Sequence, residues 1–360
     1  RLGMWLAERN HSVQMLTVKK QRDPLDSVGL AHLHDLHDLS RNQLRRYVAD
    51  LDLDVLLLNP ERSRSYRGIA ANVLRTAYGT EHYKQKLRSF QRPAERMLRG
   101  AVRWSPLDIV ERRWERAFYE DSAFPPTVIA QSQYMRDQIL ESYRIPAEHV
   151  HVIHNAVDTS EYSVRTRTER RAEMRSRWGL PDDAFCVLFM GHNFRLKGLW
   201  ELIDAIASLR ASRRIHLLVA GRGTGGRQRA TAKRLVREAG LTDRVIFAGP
   251  VLPSIDALSA ADALAHLSWH DSFGFVALEA MACGLPVVTT RWAGASELVE
   301  DGTSGLIVDP GDPVAIAGAL ERLSKEPGTC EALGRDEVTN FADVEQVFAA
   351  TAAHTTDTVC

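Results

Sequence analysis

Short apolar runs alternate with amphipathic or polar stretches along this 360-residue chain, most regularly in its second half. Phe185–Met190, His216–Ala220, Val245–Phe247, Ala263–Leu267, Pro286–Thr289 and Gly305–Val308 are each too short for a helix. Their length and near-continuous apolar character predict strands covered on both faces. Helical spacing fills the intervals between them, so the segment predicts a doubly wound parallel sheet. In the first half, Leu2–Arg9 reads as a helix, and His11–Thr17, Val55–Asn59 and Thr127–Ala130 read as strands. Ser132 reads as the cap of a helix running towards Tyr143. The polar run from Thr159 to Arg171 reads as a hinge.

The most informative stretch is Asp271 to Thr290. Phe275, Leu278, Glu279 and Ala282 recur at helical spacing, Gly284 and Pro286 stop the helix, and Leu285–Thr290 forms an apolar strand. Phe273 and Gly274 then fall at a helix N-terminus, whose free N–H groups suit an anion. Asp271 precedes that turn and Glu279 lies two turns beyond it, so the stretch suits a polyhydroxylated, phosphorylated ligand. Gly191-His192-Asn193-Phe194-Arg195-Leu196-Lys197-Gly198 follows the first strand of this half and opens a helix. Its Arg195 and Lys197 offer cations to a diphosphate, and Gly191 allows close approach. The Gly-rich loop from Gly221 to Gly226 has neither the Walker spacing nor the dinucleotide fingerprint, and it reads as part of the same pocket.

Length predicts two domains. Lys+Arg and Asp+Glu both total 46, so overall charge gives no reason to expect a nucleic-acid partner. Cys186, Cys283, Cys330 and Cys360 are widely spaced and lack metal-ligand spacing, which fits free thiols in a reducing compartment. No apolar run approaches the roughly 20 residues that span a bilayer. Arg1 is not a start methionine, and the chain reads as a fragment.

The Asp271–Thr290 stretch resembles the signature of family 4 glycosyltransferases of the two-Rossmann-domain (GT-B) type. There a Glu, seven residues and a second Glu precede Ala-Met-Ala-x-Gly-x-Pro-Val-Val. Asp271 stands where that pattern has its first Glu, one methylene shorter. The resemblance implies an α/β fold of two Rossmann-like doubly wound domains facing across a cleft. Residues 1–165 would be the acceptor-side domain, 166–342 the nucleotide-sugar-binding domain, and 343–360 a helix crossing back to the first domain. The family's first strand and Gly-Gly loop precede the Leu2–Arg9 helix, and the N-terminal domain here lacks both. His151 to Asp158 resembles the family's Val-Ile-x-Asn-Gly-Val-Asp segment, with Ala156 for Gly.

By the same resemblance, Lys197 takes the position of the family's phosphate lysine, while Arg195 is a less regular transfer. Gly191 and Gly221 would line the donor pocket, and the segment Phe247–Val251, with Pro250, would meet the nucleobase. Glu279 would hold ribose hydroxyls, Asp271 would lie near the donor sugar, and the N–H groups of Phe273 and Gly274 would face sugar or phosphate. The family retains anomeric configuration and needs no metal or other cofactor, because cations and a helix N-terminus can stabilise the leaving diphosphate.

The first half offers fewer anchors. His32, His34, Asp35, His37 and Asp38 are metal-ligand types, but alternation at a strand end fits plain solvation. The Asp50-Leu51-Asp52-Leu53-Asp54 run precedes its strand, unlike a metal-binding Asp-x-Asp. His82 and Glu81, with Asn72 behind them, are candidates for the acceptor hydroxyl, against the alternative of an ordinary surface His. From 84 to 116, Lys and Arg outnumber acids and aromatic residues are interleaved. That fits either a basic face for an anionic membrane or phosphorylated acceptor, or a solvated helical face.

Phe194 to Gly198, Glu111 to Phe118 and Ala70-Ala71-Asn72-Val73 resemble the lipopolysaccharide core glucosyltransferases in particular. The implied reaction moves a hexose from a nucleotide-sugar, UDP-glucose or similar, to a saccharide or glycolipid acceptor of lipopolysaccharide or cell-surface polysaccharide. The expected location is cytoplasmic, with peripheral attachment to the membrane face through residues 84–116, and no nucleic acid is expected. A non-catalytic sugar-nucleotide-binding protein and a sugar-nucleotide epimerase of the same fold are the alternatives.

Overall fold

In the computed structural model, residues 126–325 are described apart from 210–213 and 224–225. Earlier in the chain, 14–17, 32–35, 43, 46, 47, 50, 55–58, 72–76, 113 and 115–120 are described. Strand β1 (Gln14–Thr17) pairs in parallel with β2 (His32–Asp35). Strands β3 (Val55–Leu58), β4 (Asn72–Thr76), β5 (Thr127–Ala130) and β6 (Val150–Val152) form a second parallel sheet in that order. Helix α1 (Gln133–Ser142) follows β5. It starts at Ser132, whose Oγ accepts from the Met135 N–H at 3.1 Å, satisfying one of the donors a helix start leaves open. Met135, Ile139 and Tyr143 pack with Phe118, Tyr119, Val128 and Val150.

The third sheet carries the site. After helix α2 (Val164–Arg177) come β7 (Phe185–Met190), α3 (Leu199–Ser208), β8 (Ile215–Ala220), α4 (Arg227–Glu238) and β9 (Val245–Gly249). Then follow α5 (Ser254–Ala260), β10 (Ala263–His266), α6 (Phe275–Ala282), β11 (Val287–Thr289), β12 (Gly305–Ile307) and α7 (Pro313–Lys325). All its strand pairs are parallel, in the order β12-β11-β10-β7-β8-β9. Side chains alternate across this sheet with period two. Val187, Phe189, Leu217 and Val219 pack with Leu202, Ile203, Val236 and Leu320 on one face. Cys186, Leu188, Leu218 and Leu264 pack with Leu258, Leu278 and Met281 on the other. Each fully buried Leu, Ile or Phe contributes about 1.5–3 kcal/mol, so covering both faces is the main source of this unit's stability.

The expected hinge is only partly loop. From Val164 onward the polar run is helical, because its arginines meet partners that are distant in sequence. Arg167 and Arg171 donate to the Ala261 carbonyl, and Arg175 donates to the Ala260 carbonyl, satisfying groups at the C-terminal end of α5. Arg171 and Arg175 also pair with Asp262 at 2.5 and 3.3 Å, and Asp262 accepts the Cys186 N–H at 2.7 Å. A helix held by such pairs carries little apolar periodicity to announce it.

One carboxylate joins the first-half layers to the third sheet. Glu297 lies in the 3-10 turn Gly294–Leu298 that follows β11. It accepts the N–H groups of Gln133 and Tyr134 at 2.8 and 2.7 Å and contacts His154 Nε2 at 3.0 Å. An acid on the start of α1 satisfies open donors and meets the positive end of the helix dipole. Ser132 Oγ adds a bond to the Ser272 carbonyl at 2.9 Å. Burial would raise the Glu297 pKa, but the bonds from His154, Tyr134 and Gln133 outweigh it and hold the carboxyl below its ordinary value.

Two stability predictions follow from these contacts. Asp262→Ala leaves the mostly buried Arg175 without its carboxylate and should cost about 3 kcal/mol in a urea melt. Glu297→Ala should cost about 1–2 kcal/mol at pH 7, the size of a lost helix cap with its dipole contact. Because the folded-state pKa is depressed, this difference from wild type is present above the ordinary value of 4.5. It should vanish as pH falls through the lower folded-state value. Paired melts from pH 7 into acid check this, and a difference that persists in strong acid would contradict it.

Candidate functional site

Strands β7 and β10 are neighbours, yet β8 and β9 extend the sheet to one side and β11 and β12 to the other. The loops leaving their carboxyl ends therefore diverge, and such a switch point opens a crevice. Here the loops are residues 191–198 and 267–274. Across the crevice Lys197 Nζ donates to Asp271 Oδ2. His266, the last residue of β10 and 3% exposed, places Nε2 3.0 Å from the same oxygen. Burial alone would raise the Asp271 pKa, but the Lys197 charge and the hydrogen bond from His266 outweigh it and hold the carboxyl well below the usual range. Asp271 is therefore a fixed anion at any physiological pH.

The turn after Asp271 depends on Gly274, which has φ +99° and precedes α6 without any side-chain cap. A Cβ there would lie 2.6 Å from His266 Nε2, so the glycine is needed both for its backbone conformation and for close approach. The uncapped start of α6 presents N–H groups beside the ion pair. Gly191, Gly221 and Pro250 stand at the ends of β7, β8 and β9. The Gly191 N–H donates to the Ala220 carbonyl at 3.0 Å, and the Gly221 N–H to the Gly249 carbonyl at 2.6 Å. Gly221, with φ +131°, would drive a Cβ to 2.0 Å from the Gly191 carbonyl oxygen. These loops lie edge to edge along one rim.

Glu279 sits on α6, where its Oε2 accepts from Ser254 Oγ at 2.8 Å. Tyr162 OH is 2.8 Å from the same Ser254 Oγ. A hydroxyl pair from the start of α5 and the segment before α2 thus orients Glu279. Lys197, Asp271 and Glu279 are brought to the carboxyl end of one sheet, as the sequence predicts. An ammonium has three donors and a carboxylate about four acceptor sites, so these groups suit a ligand carrying both phosphate oxygens and hydroxyls.

Arg195 Nη1 pairs with Glu201 Oε1 at 2.6 Å. The pair holds the guanidinium beside α3 and uses one of its five N–H donors. Phe273 is buried in the core, with its ring centroid 6.0 Å from that of His154, which leaves its backbone N–H, the group expected to face the ligand, on the turn before α6. The buried stripe of α6 is Ala277, Leu278, Ala280 and Met281, while Phe275 is half exposed. A helix starting on a left-handed glycine turns a different face inward from the one that the apolar spacing suggests.

His82 and Glu81 lie outside the described residues, as do the side chain of Asn72, most of 84–116, and the expected helix at 343–360. Sequence reasoning missed His266, Ser254, Tyr162, Tyr134 and Glu297. Tyr134 OH is 2.8 Å from His270 Nδ1, and burial, with help from Asp271, pushes its pKa up to about 12. The one local signal for any of these was His266, a polar residue ending an apolar strand. Cys186 and Cys283 are buried free thiols. Among the described residues no group of three His, Cys, Asp or Glu is placed to hold a metal ion. Nor is any described helix long and apolar enough to cross a membrane.

Residues 170–337 match the family model of glycosyl transferases group 1, and residues 1–161 match that of glycosyltransferase family 4. The D-inositol 3-phosphate glycosyltransferase of Streptomyces bingchenggensis is 35% identical over 217 residues, 58% of this chain and 47% of that protein. That of Acidothermus cellulolyticus is 34% identical over 210 residues, 56% of this chain and 46% of its own. The chain thus spans about half the length of these curated relatives.

Among solved structures, WaaG, a glycosyltransferase involved in lipopolysaccharide biosynthesis, aligns with TM-score 0.67 at 18% identity. The alignment covers 98% of this chain and 93% of WaaG. Anabaena HepE in complex with UDP and glucose aligns with TM-score 0.65 at 21% identity, covering 91% and 83%. These likenesses establish the fold as GT-B, and the two family models between them match most of the sequence. The chain belongs to the family 4 glycosyltransferases of the two-Rossmann-domain type.

Proposed function

We propose that this protein transfers a hexose, with retention, from a nucleotide-sugar of the UDP-glucose type to a saccharide or glycolipid acceptor of lipopolysaccharide or cell-surface polysaccharide. The observation that carries the reading is the meeting of Lys197, Asp271 and the uncapped start of α6 at the sheet's switch point, with Glu279 on the same helix. Cation and helix N-terminus suit the diphosphate, and the two carboxylates suit hydroxyls of ribose and hexose. In the reaction the sugar–phosphate bond breaks and the acceptor oxygen bonds to the anomeric carbon on the same face. The acceptor proton passes to the departing diphosphate. Negative charge grows on that diphosphate, and Lys197 with the N–H groups at the start of α6 stabilises it without reorganising.

An acid/base pair for glycoside hydrolysis would need two carboxylates flanking the scissile bond. Here Asp271 is tied to Lys197 and His266, and Glu279 to Ser254, which favours holding hydroxyls over moving protons. His82 and Glu81 complete the proposal on the acceptor side. Residues 84–116 are proposed to meet an anionic acceptor or the membrane face, on the cytoplasmic side. HepE's bound UDP and glucose make UDP and UDP-glucose the first ligands to try.

The test is calorimetric titration of the full chain with UDP, GDP and ADP. UDP should bind best. Lys197→Ala and Glu279→Ala should each weaken it by about 10–100-fold, the worth of charge-assisted hydrogen bonds. Unaltered UDP affinity in both variants would sink the assignment, as would a folded wild type that binds none of the three.

A further inference from the structure

Asp271 is held more tightly than a carboxylate that merely neutralises a lysine. Its N–H donates to the Trp292 carbonyl at 2.8 Å, and its own carbonyl accepts from the Gly294 N–H at 3.1 Å. Its side chain receives Lys197 Nζ and His266 Nε2, and both fall on Oδ2. His266 is fixed in turn. It ends β10, is 3% exposed, has Ser268 Oγ 3.3 Å from Nε2, and faces the bare Cα of Gly274. The bond to a carboxylate assigns the Nε2 proton to the side facing Asp271. Two donors on one oxygen set the plane of the carboxylate and leave Oδ1 outside both bonds.

The family signature has Glu where this chain has Asp271. From a backbone pinned on both sides, the shorter Asp271 side chain meets His266 Nε2 at 3.0 Å. Asp271 and His266 are therefore a matched pair. The match gains meaning from the kind of ligand expected here. Hexoses that share one nucleotide differ mainly in hydroxyl orientation, and an acceptor oxygen distinguishes them only if it cannot follow the hydroxyl.

We propose that His266 is a positioning and specificity-determining residue: with Lys197 it commits Oδ2 of Asp271, so that Oδ1 reads one hydroxyl of the donor hexose. This rests on the reading of Asp271 as the carboxylate beside the donor sugar. Lys197 is assigned to the diphosphate as well as to Asp271, so its loss would weaken every donor besides loosening the carboxylate. Loss of His266 would instead release the carboxylate to rotate, and the consequence would fall on the choice among sugars.

The experiment measures Kd of the full chain for UDP-glucose, UDP-galactose and UDP-N-acetylglucosamine, in wild type, His266→Leu and His266→Gln. Gln keeps an N–H donor near the position of Nε2, and Leu keeps only bulk. Wild type should separate the best and worst donors, and His266→Leu should shrink that spread by roughly tenfold, the scale of one charge-assisted hydrogen bond. His266→Gln should restore most of it. A chemical-denaturation midpoint for each variant keeps folding apart from binding, and the Gln variant carries the test if Leu does not fold. A Leu variant with the wild-type spread, or a Gln variant no better than Leu, overturns the assignment of His266 alone. A folded wild type that binds no UDP overturns both this and the donor reading.

Discussion

When the chain finishes β9 it has extended the parallel sheet in one direction only, and it must return past β7 to place β10 on the other side. That reversal is the constraint on which the rest of the site depends. Because crossovers are right-handed, the reversal moves the connecting helices to the other face, with α3 and α4 on one side and α5 and α6 on the other, so the loops after β7 and β10 open away from each other. Lys197 comes from one of those loops and Asp271 from the other, and their ion pair bridges the gap. Were β10 added beside β9, the same residues would lie at opposite edges of the sheet.

The double-sided core makes this placement rigid. Alternate residues of β7 and β8 enter two separate apolar layers, so a one-residue slip of either strand would invert both. Register is thereby fixed, and with it the position of every residue at a strand's carboxyl end. Gly191, Gly221 and His266 each stand at or just beyond such an end. Gly221 then lets the backbone of Gly191 come close, and Gly274 makes room for the side chains of His266 and Asp271. Polar groups on the rim are supported from behind in turn, as Ser254 and Tyr162 support Glu279.

Contacts between the layers of the first half and the third sheet rest on other physics. The start of α1 meets the third sheet's loops mainly through hydrogen bonds to Glu297 and Ser272. Its apolar side packs on β5 and β6 instead. A polar junction of this sort exchanges its bonds with water at little net cost, whereas the two apolar layers of the third sheet cannot. Tyr134 belongs to the same junction, since it sits on α1 and bonds to His270 beside Asp271. The loop that carries Asp271 is thus touched by a helix of the other half.

Much of this was determined by the sequence alone. Apolar runs from Phe185 to Val308 located the strands of the third sheet to within a residue or two, because a strand buried on both faces has no polar position to blur its limits. The Asp271–Thr290 stretch and the loop at Gly191–Gly198 marked the candidate site, because strand-to-helix turns have a local chemistry of their own. Tertiary structure alone decided which groups answer one another. That Arg195 belongs to Glu201, that His266 and Lys197 share one oxygen of Asp271, and that Glu297 caps α1 are pairings across 5 to 164 positions of sequence. The helix at Val164–Arg177 escaped notice for the same reason. Its arginines read as solvated until the end of α5 and Asp262 are folded against them, and a hydrogen bond between distant residues leaves no periodic trace in either segment.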